Sequence, residues 1–182
     1  MSGGRALRVA ARYGFAGGLC ASLVMVVPAS LSDAATTPLG DLGGTLVVLL
    51  AVHAGMRAAT DAEAFTGFGR RIGIATVIAT GASAIVAVGL YALYAAWRPG
   101  LLAARYALYE ERLKSGGGAP AGRAAFEVAR LAARKAQYLD PAFQAIAAAG
   151  TIFFFAMLFG AYAAWHFRVA ARLRAGRSSR RR

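Results

Sequence analysis

Four side chains in the apolar parts of this chain have chemistry to offer: Cys20, Asp41, His53 and His166. A carboxylate within a membrane-like run handles ions or protons, imidazoles titrate near neutrality and bind metals, and a thiolate is a nucleophile. Their spacing works against each of these roles. Cys20 is the only cysteine, so it has no intramolecular disulfide partner and belongs to no CxxC or Cys/His pattern. His53 and His166 would make a pH-sensitive pair or two metal ligands, but neither has a carboxylate or third ligand near it in sequence. Asp41, followed by Gly43 and Gly44, suits a helix end better than a cation site. The glycine-rich "GGGAPAG" lacks the Lys-Ser/Thr of a phosphate loop. No catalytic residue, cofactor site or metal site is expected, and an enzyme is not indicated.

The elements around these residues are greasy. Of the 182 residues 58% are hydrophobic, and mean hydropathy is +0.52, which points to one membrane domain rather than a soluble globule. The formal charge of +13 suits nucleic acid or an anionic membrane face, and its distribution decides between them. The basic residues cluster beside apolar spans, so anionic lipid is the expected contact and nucleic acid is not.

A helix needs about 20 apolar residues to cross about 30 Å of hydrocarbon. Residues 13–32, 72–97 and 141–167 meet this requirement, and 39–56, "LGDLGGTLVVLLAVHAGM", is a shorter fourth span. The N-terminus imitates a secretory signal, but its uncharged run is long, and an uncleaved first span is expected. The arm before span one holds Arg5, Arg8 and Arg12. The connector before span three holds Arg57, Arg70 and Arg71, and the tail 168–182 holds seven arginines. These thirteen cations face eight Lys and Arg, with four acids, in residues 98–140. The bias puts both termini in the cytoplasm of a multi-pass inner-membrane protein and 98–140 outside.

Glycines at i, i+4 let helix backbones approach in lipid: Gly14 and Gly18 in span one, Gly40 and Gly44 in span two, Gly69 and Gly73 at the start of span three. The spacing serves packing within one chain or a homo-oligomer. Phe153, Phe154, Phe155 and Phe159 are expected to meet lipid or neighbouring helices. Tyr162 and Trp165, with Tyr94 and Trp97 at the other face, are expected to be interfacial anchors.

The outer segment begins at "RPG", where Pro99 ends span three and opens a new helix. Leu102, Tyr106, Tyr109 and Leu113 form an apolar stripe, with Arg98, Arg105 and Arg112 on another face. Glu110 and Lys114 stand in the favourable i, i+4 order. After "SGGGAPAG", residues 123–139 are expected to form one helix that carries Phe126, Val128, Leu131 and Tyr138. Asp140 and Pro141 then supply an N-cap and first-turn proline for span four. The result is an amphipathic hairpin whose stripes are a candidate surface for lipid or a protein partner.

In "RYGFAGG", "EAFTGFGRRIGIA", the charged helical insert and "YLDPAFQ", the chain resembles the bacterial membrane proteins of the domain-of-unknown-function family 4199, over roughly Arg8 to Arg168. Asp140 stands where such members often have Asn, which keeps the capping role. The resemblance implies a four-span integral membrane protein and carries no catalytic residues. The expected architecture is therefore an all-α integral membrane protein, four transmembrane helices with an extracytoplasmic amphipathic helical hairpin between helices 3 and 4. Its expected role is a non-enzymatic interaction or envelope-maintenance module, with a small transporter or channel subunit as the alternative.

Overall fold

Apolar runs of this length fold as helices because the hydrocarbon offers no partner for an unpaired backbone amide. The computed structural model describes residues 3–31, 37–63, 67–115 and 121–179, and every regular element among them is helical. In chain order these are α1 (Gly3–Leu31), α2 (Thr37–Glu63), α3 (Phe68–Ala92) with a π-helical turn Leu93–Trp97, α4 (Leu101–Lys114), α5 (Ala121–Ala133), α6 (Lys135–Leu139) and α7 (Pro141–Ser179). Among the described residues, four helices are long and apolar enough to cross a membrane: Gly4–Leu31, Leu39–Asp61, Phe68–Trp97 and Pro141–Val169. The helices outrun the expected spans at their basic ends because apolar composition marks only the hydrocarbon segment. The backbone ladder continues through the flanking arginines. At 39 residues α7 is about 58 Å long, well beyond a bilayer's apolar thickness.

Small side chains set the packing. Gly14 and Gly18 on α1 lie against the backbone of Ile78 and Ala82 on α3, where an added Cβ at Gly18 would stand 2.9 Å from Ala82 Cα. Gly89 meets Ser22 one level on, so α1 and α3 run parallel. Gly17 facing Ala51 and Gly44 facing Met25 tie α1 to an antiparallel α2, and Gly160 brings α7 against Ala75 of α3 and Val52 of α2. The four long helices thus alternate in direction. The start of α1 and the apolar end of α7 share one end with Arg57, Arg70 and Arg71. The core is correspondingly fine-grained: Ala10, Ala21, Ala75, Ala79, Ala82 and Ala156 are fully buried among Val48, Val52, Ile78, Val86 and Leu93. Close backbone approach lets dispersion hold helices together where lipid supplies no hydrophobic drive.

The third glycine pair behaves differently. Gly69 and Gly73 are exposed, and an added Cβ at either would meet nothing within 4 Å. Their expected role in packing within the chain is corrected: they lie on the outer side of α3, whose inner side carries Arg71, Ile74 and Ala75.

Candidate functional site

The hairpin starts from a tightly specified corner. The π-helical turn closes with Arg98 N–H donating to Leu93 O at 2.7 Å. Leu101 N–H then donates to Arg98 O at 3.0 Å across Pro99 and Gly100. Pro99 holds the position where a fixed φ favours this turn, and it has no amide to leave unpaired. The corner aims Arg98 at the end of α1, where Nη1 donates to Ala29 O at 3.0 Å and to Ser30 O at 3.4 Å. A cation on the last carbonyls satisfies acceptors that the helix leaves open and complements its dipole.

Seven residues further on, Arg105 Nη1 donates to the Tyr94 hydroxyl at 2.9 Å, with its guanidinium carbon 5.6 Å from the ring centroid. Asp41 of α2 is within electrostatic reach of both groups. The Arg105–Tyr94 bond ties α4 to the end of α3 beside Asp41, a link that no local residue pattern announces. Tyr94 is buried, not spread at an interface as expected, while Trp97 is exposed. Arg98 and Arg105, expected on a polar outer face, both point back into the bundle's end.

The hairpin closes upon itself. Leu102, Tyr106 and Leu131 are buried, and Leu102 joins Leu101 in the bundle core. These three residues of the expected interaction surface are therefore structural, because two apolar stripes on neighbouring helices bury each other before anything else can reach them. Leu113 and Val128 are half-buried, and Tyr109, Phe126 and Tyr138 are exposed, Phe126 by 66%. The expected single helix over 123–139 is also corrected. It breaks at Arg134, where Arg134 N–H donates to Leu131 O at 3.1 Å and α6 begins. The break turns Tyr138 edge-on to Tyr106, with centroids 6.3 Å apart, and sets Lys135 Nζ 5.4 Å from the Tyr106 centroid.

Two clefts remain along the seam. One, of about 180 Å³, is lined by Tyr109, Leu113, Glu127, Arg130, Leu131, Arg134 and Tyr138. Its neighbour, of about 210 Å³, shares Tyr109 and Tyr138 and adds Leu102, Arg105, Tyr106 and Gln144. Glu110 and Lys114 meet at 2.5 Å on α4. Hydrogen bonding and charge from Lys114 hold the Glu110 carboxyl below its ordinary range, and Glu110 raises the Lys114 ammonium in return. Of the expected hinge "SGGGAPAG", residues 116–120 lie outside the described residues. At the other foot Asp140 Oδ1 accepts from Ala142 N–H at 2.8 Å and Phe143 N–H at 3.3 Å, capping α7 with Pro141 as its first residue.

At the basic end, His53 stacks on Phe167 with centroids 5.4 Å apart and planes at 29°, and His166 meets the same ring edge-on at 6.3 Å. Phe167 separates the two imidazoles. Arg71 lies across that ring at 5.5 Å and is 3% exposed. Among the described residues, no cluster of three His, Cys, Asp or Glu has metal-binding geometry, and Cys20 is exposed.

Comparison of the chain with protein-family models, with curated proteins and with solved structures gives no match.

Proposed function

We propose that this is a non-enzymatic protein of the bacterial inner membrane, of the kind grouped in family 4199, whose hairpin is a docking element for another envelope protein. The observation that carries the reading is the pair of adjoining clefts on the hairpin, both lined by Tyr109 and Tyr138. Aromatic linings supply contact area at low entropic cost, and Arg130 and Arg134 suit a segment bearing carboxylates. With eight cations against four acids, residues 98–140 favour an acidic partner over a basic one. The excess of arginine at the opposite end supports both termini in the cytoplasm and the hairpin outside.

Photo-crosslinkers at Tyr109 and Phe126 test the docking reading. A discrete protein adduct from Tyr109 that disappears on Arg130→Glu and Arg134→Glu supports it, and lipid adducts alone refute it. Sidedness is tested with a cysteine at Ser115 in a Cys20→Ser background. Labelling of intact cells by an impermeant maleimide is expected, and labelling only after lysis reverses the orientation.

The group of Asp41, Tyr94 and Arg105 favours a second reading, a small transporter or channel subunit, since a carboxylate near a cation at the end of a bundle can exchange protons or ions. Proton-coupled uptake by reconstituted vesicles, abolished by Asp41→Asn, would place this reading first.

A further inference from the structure

Arg71 is the feature of the bundle that neither reading uses. It sits in the first turn of α3 and is 3% exposed. Its Nε and Nη1 atoms are buried and have no hydrogen-bond partner. Those two nitrogens carry three N–H bonds between them. Among the described residues its specific neighbour is the Phe167 ring, which attracts a cation by its π face but accepts no conventional hydrogen bond. Among the residues whose side chains are described, no carboxylate pairs with it.

A guanidinium does not lose its proton, so it cannot relieve burial by becoming neutral. A buried charge with unmet donors is stable only when an anion completes it. Several details specify the anion. Three unmet N–H bonds call for a group with more than one acceptor oxygen. Arg57 on α2 and Arg168 on α7 are exposed at the same end and raise the local anion concentration. The first turn of α3 adds its dipole, since Gly67 at the N-cap supplies no side-chain cap. Gly67 leaves open space beside that turn among the described residues.

We infer that Arg71 anchors a binding site for a phosphate-bearing anion at the basic end of the bundle, chemistry shared by an anionic phospholipid headgroup and free phosphate. The atoms that cover Arg71 Nε and Nη1 shift aside for the phosphate oxygens to accept from them, while the Phe167 ring forms the apolar flank on the bundle side. A lipid is the source that the position favours. The site stands at the boundary of a membrane-spanning helix, with its charge at headgroup depth and exposed apolar helix surface beneath.

The test uses the full-length protein in an uncharged, phosphate-free detergent and follows thermal unfolding as phosphatidylglycerol, diacylglycerol or inorganic phosphate is added. Phosphatidylglycerol is expected to raise the wild-type melting temperature with a midpoint at least about tenfold lower than that of diacylglycerol. Arg71→Gln is expected to weaken that response by about tenfold or more. Protection by inorganic phosphate that depends on Arg71 assigns the site to a soluble phosphate, and protection by phosphatidylglycerol alone assigns it to lipid. Equal responses to phosphatidylglycerol and diacylglycerol, or an Arg71→Gln protein that responds like wild type to both phosphate sources, overturn the site. Arg71→Met guards against misfolding, because a flexible apolar side chain fills the same space. It is expected to melt higher than wild type without phosphate, the unpaired charge being gone, and to show no phosphate-dependent rise. An Arg71→Met protein that melts lower without phosphate and keeps the rise also refutes the inference.

Discussion

Gly18→Ala and Gly73→Ala add the same methyl group to two glycines with the same i, i+4 signature, and the structure predicts opposite outcomes. At Gly18 the new Cβ would lie 2.9 Å from Ala82 Cα, Ala82 O and Ile85 Cβ. Carbon atoms pack comfortably at about 3.5 Å or more, so α1 and α3 must part by about 0.6 Å at that level. Two of the three obstructing atoms belong to the backbone, so no flexible side chain can yield. Overpacking of this kind costs about 1–3 kcal/mol, and backbone contact argues for the upper part of that range. Against it stands about 1 kcal/mol gained in helix propensity, leaving a net loss of about 1–2 kcal/mol. Gly73 meets nothing within 4 Å, so Gly73→Ala keeps the propensity gain without the clash. Thermal unfolding of the purified protein in detergent should show Gly18→Ala melting roughly 2–8 °C below wild type and Gly73→Ala at or slightly above it. If Gly18→Ala melts as high as Gly73→Ala, the close α1–α3 approach is wrong.

Three further outcomes follow from the hairpin's two feet and from its surface pair. Arg98→Ala frees the last carbonyls of α1 and should cost about 1–2 kcal/mol, with faster amide exchange near the π-helical turn and in the last turn of α1. Asp140→Ala removes the cap from α7 and should cost about 1 kcal/mol, whereas Asp140→Asn should unfold close to wild type. The Glu110–Lys114 pair gives α4 a two-sided pH dependence. The lowered Glu110 carboxyl supports the helix above its ordinary value of 4.5, and that support is lost as pH falls through the lowered value. The raised Lys114 ammonium supports it below 10.5, and that support is lost as pH rises through the raised value. NMR titration of α4 shifts should show both limbs, and Glu110→Gln should abolish the acidic one.

Much of the architecture was legible along the chain, since a span is a local property: about 20 apolar residues, charges at the ends, a proline or capping aspartate at the corners. The weak span beginning at Leu39 became secure only with its neighbours, because Gly40 and Gly44 seat it against Val24 and Met25. The break at Arg134 carried no proline or glycine to announce it. It lets Tyr138 and Lys135 meet Tyr106 on another helix, a contact to which local spacing is blind.

Composition and order of residues thus determined the helical class, the four spans, the corner at Pro99 and the cap at Asp140, all of which depend on residues within a few positions of one another. Which side of each helix turns inward was left to tertiary structure. Gly14 and Gly18 are buried while Gly69 and Gly73 are not, although the spacing is identical. Arginines that count equally towards charge also part company: Arg98 caps α1, Arg105 binds Tyr94, and Arg71 is shut away beneath Phe167 without an acceptor. The physical reason is that packing energy and the cost of burying charge depend on distances between distant segments, and only the assembled bundle sets those.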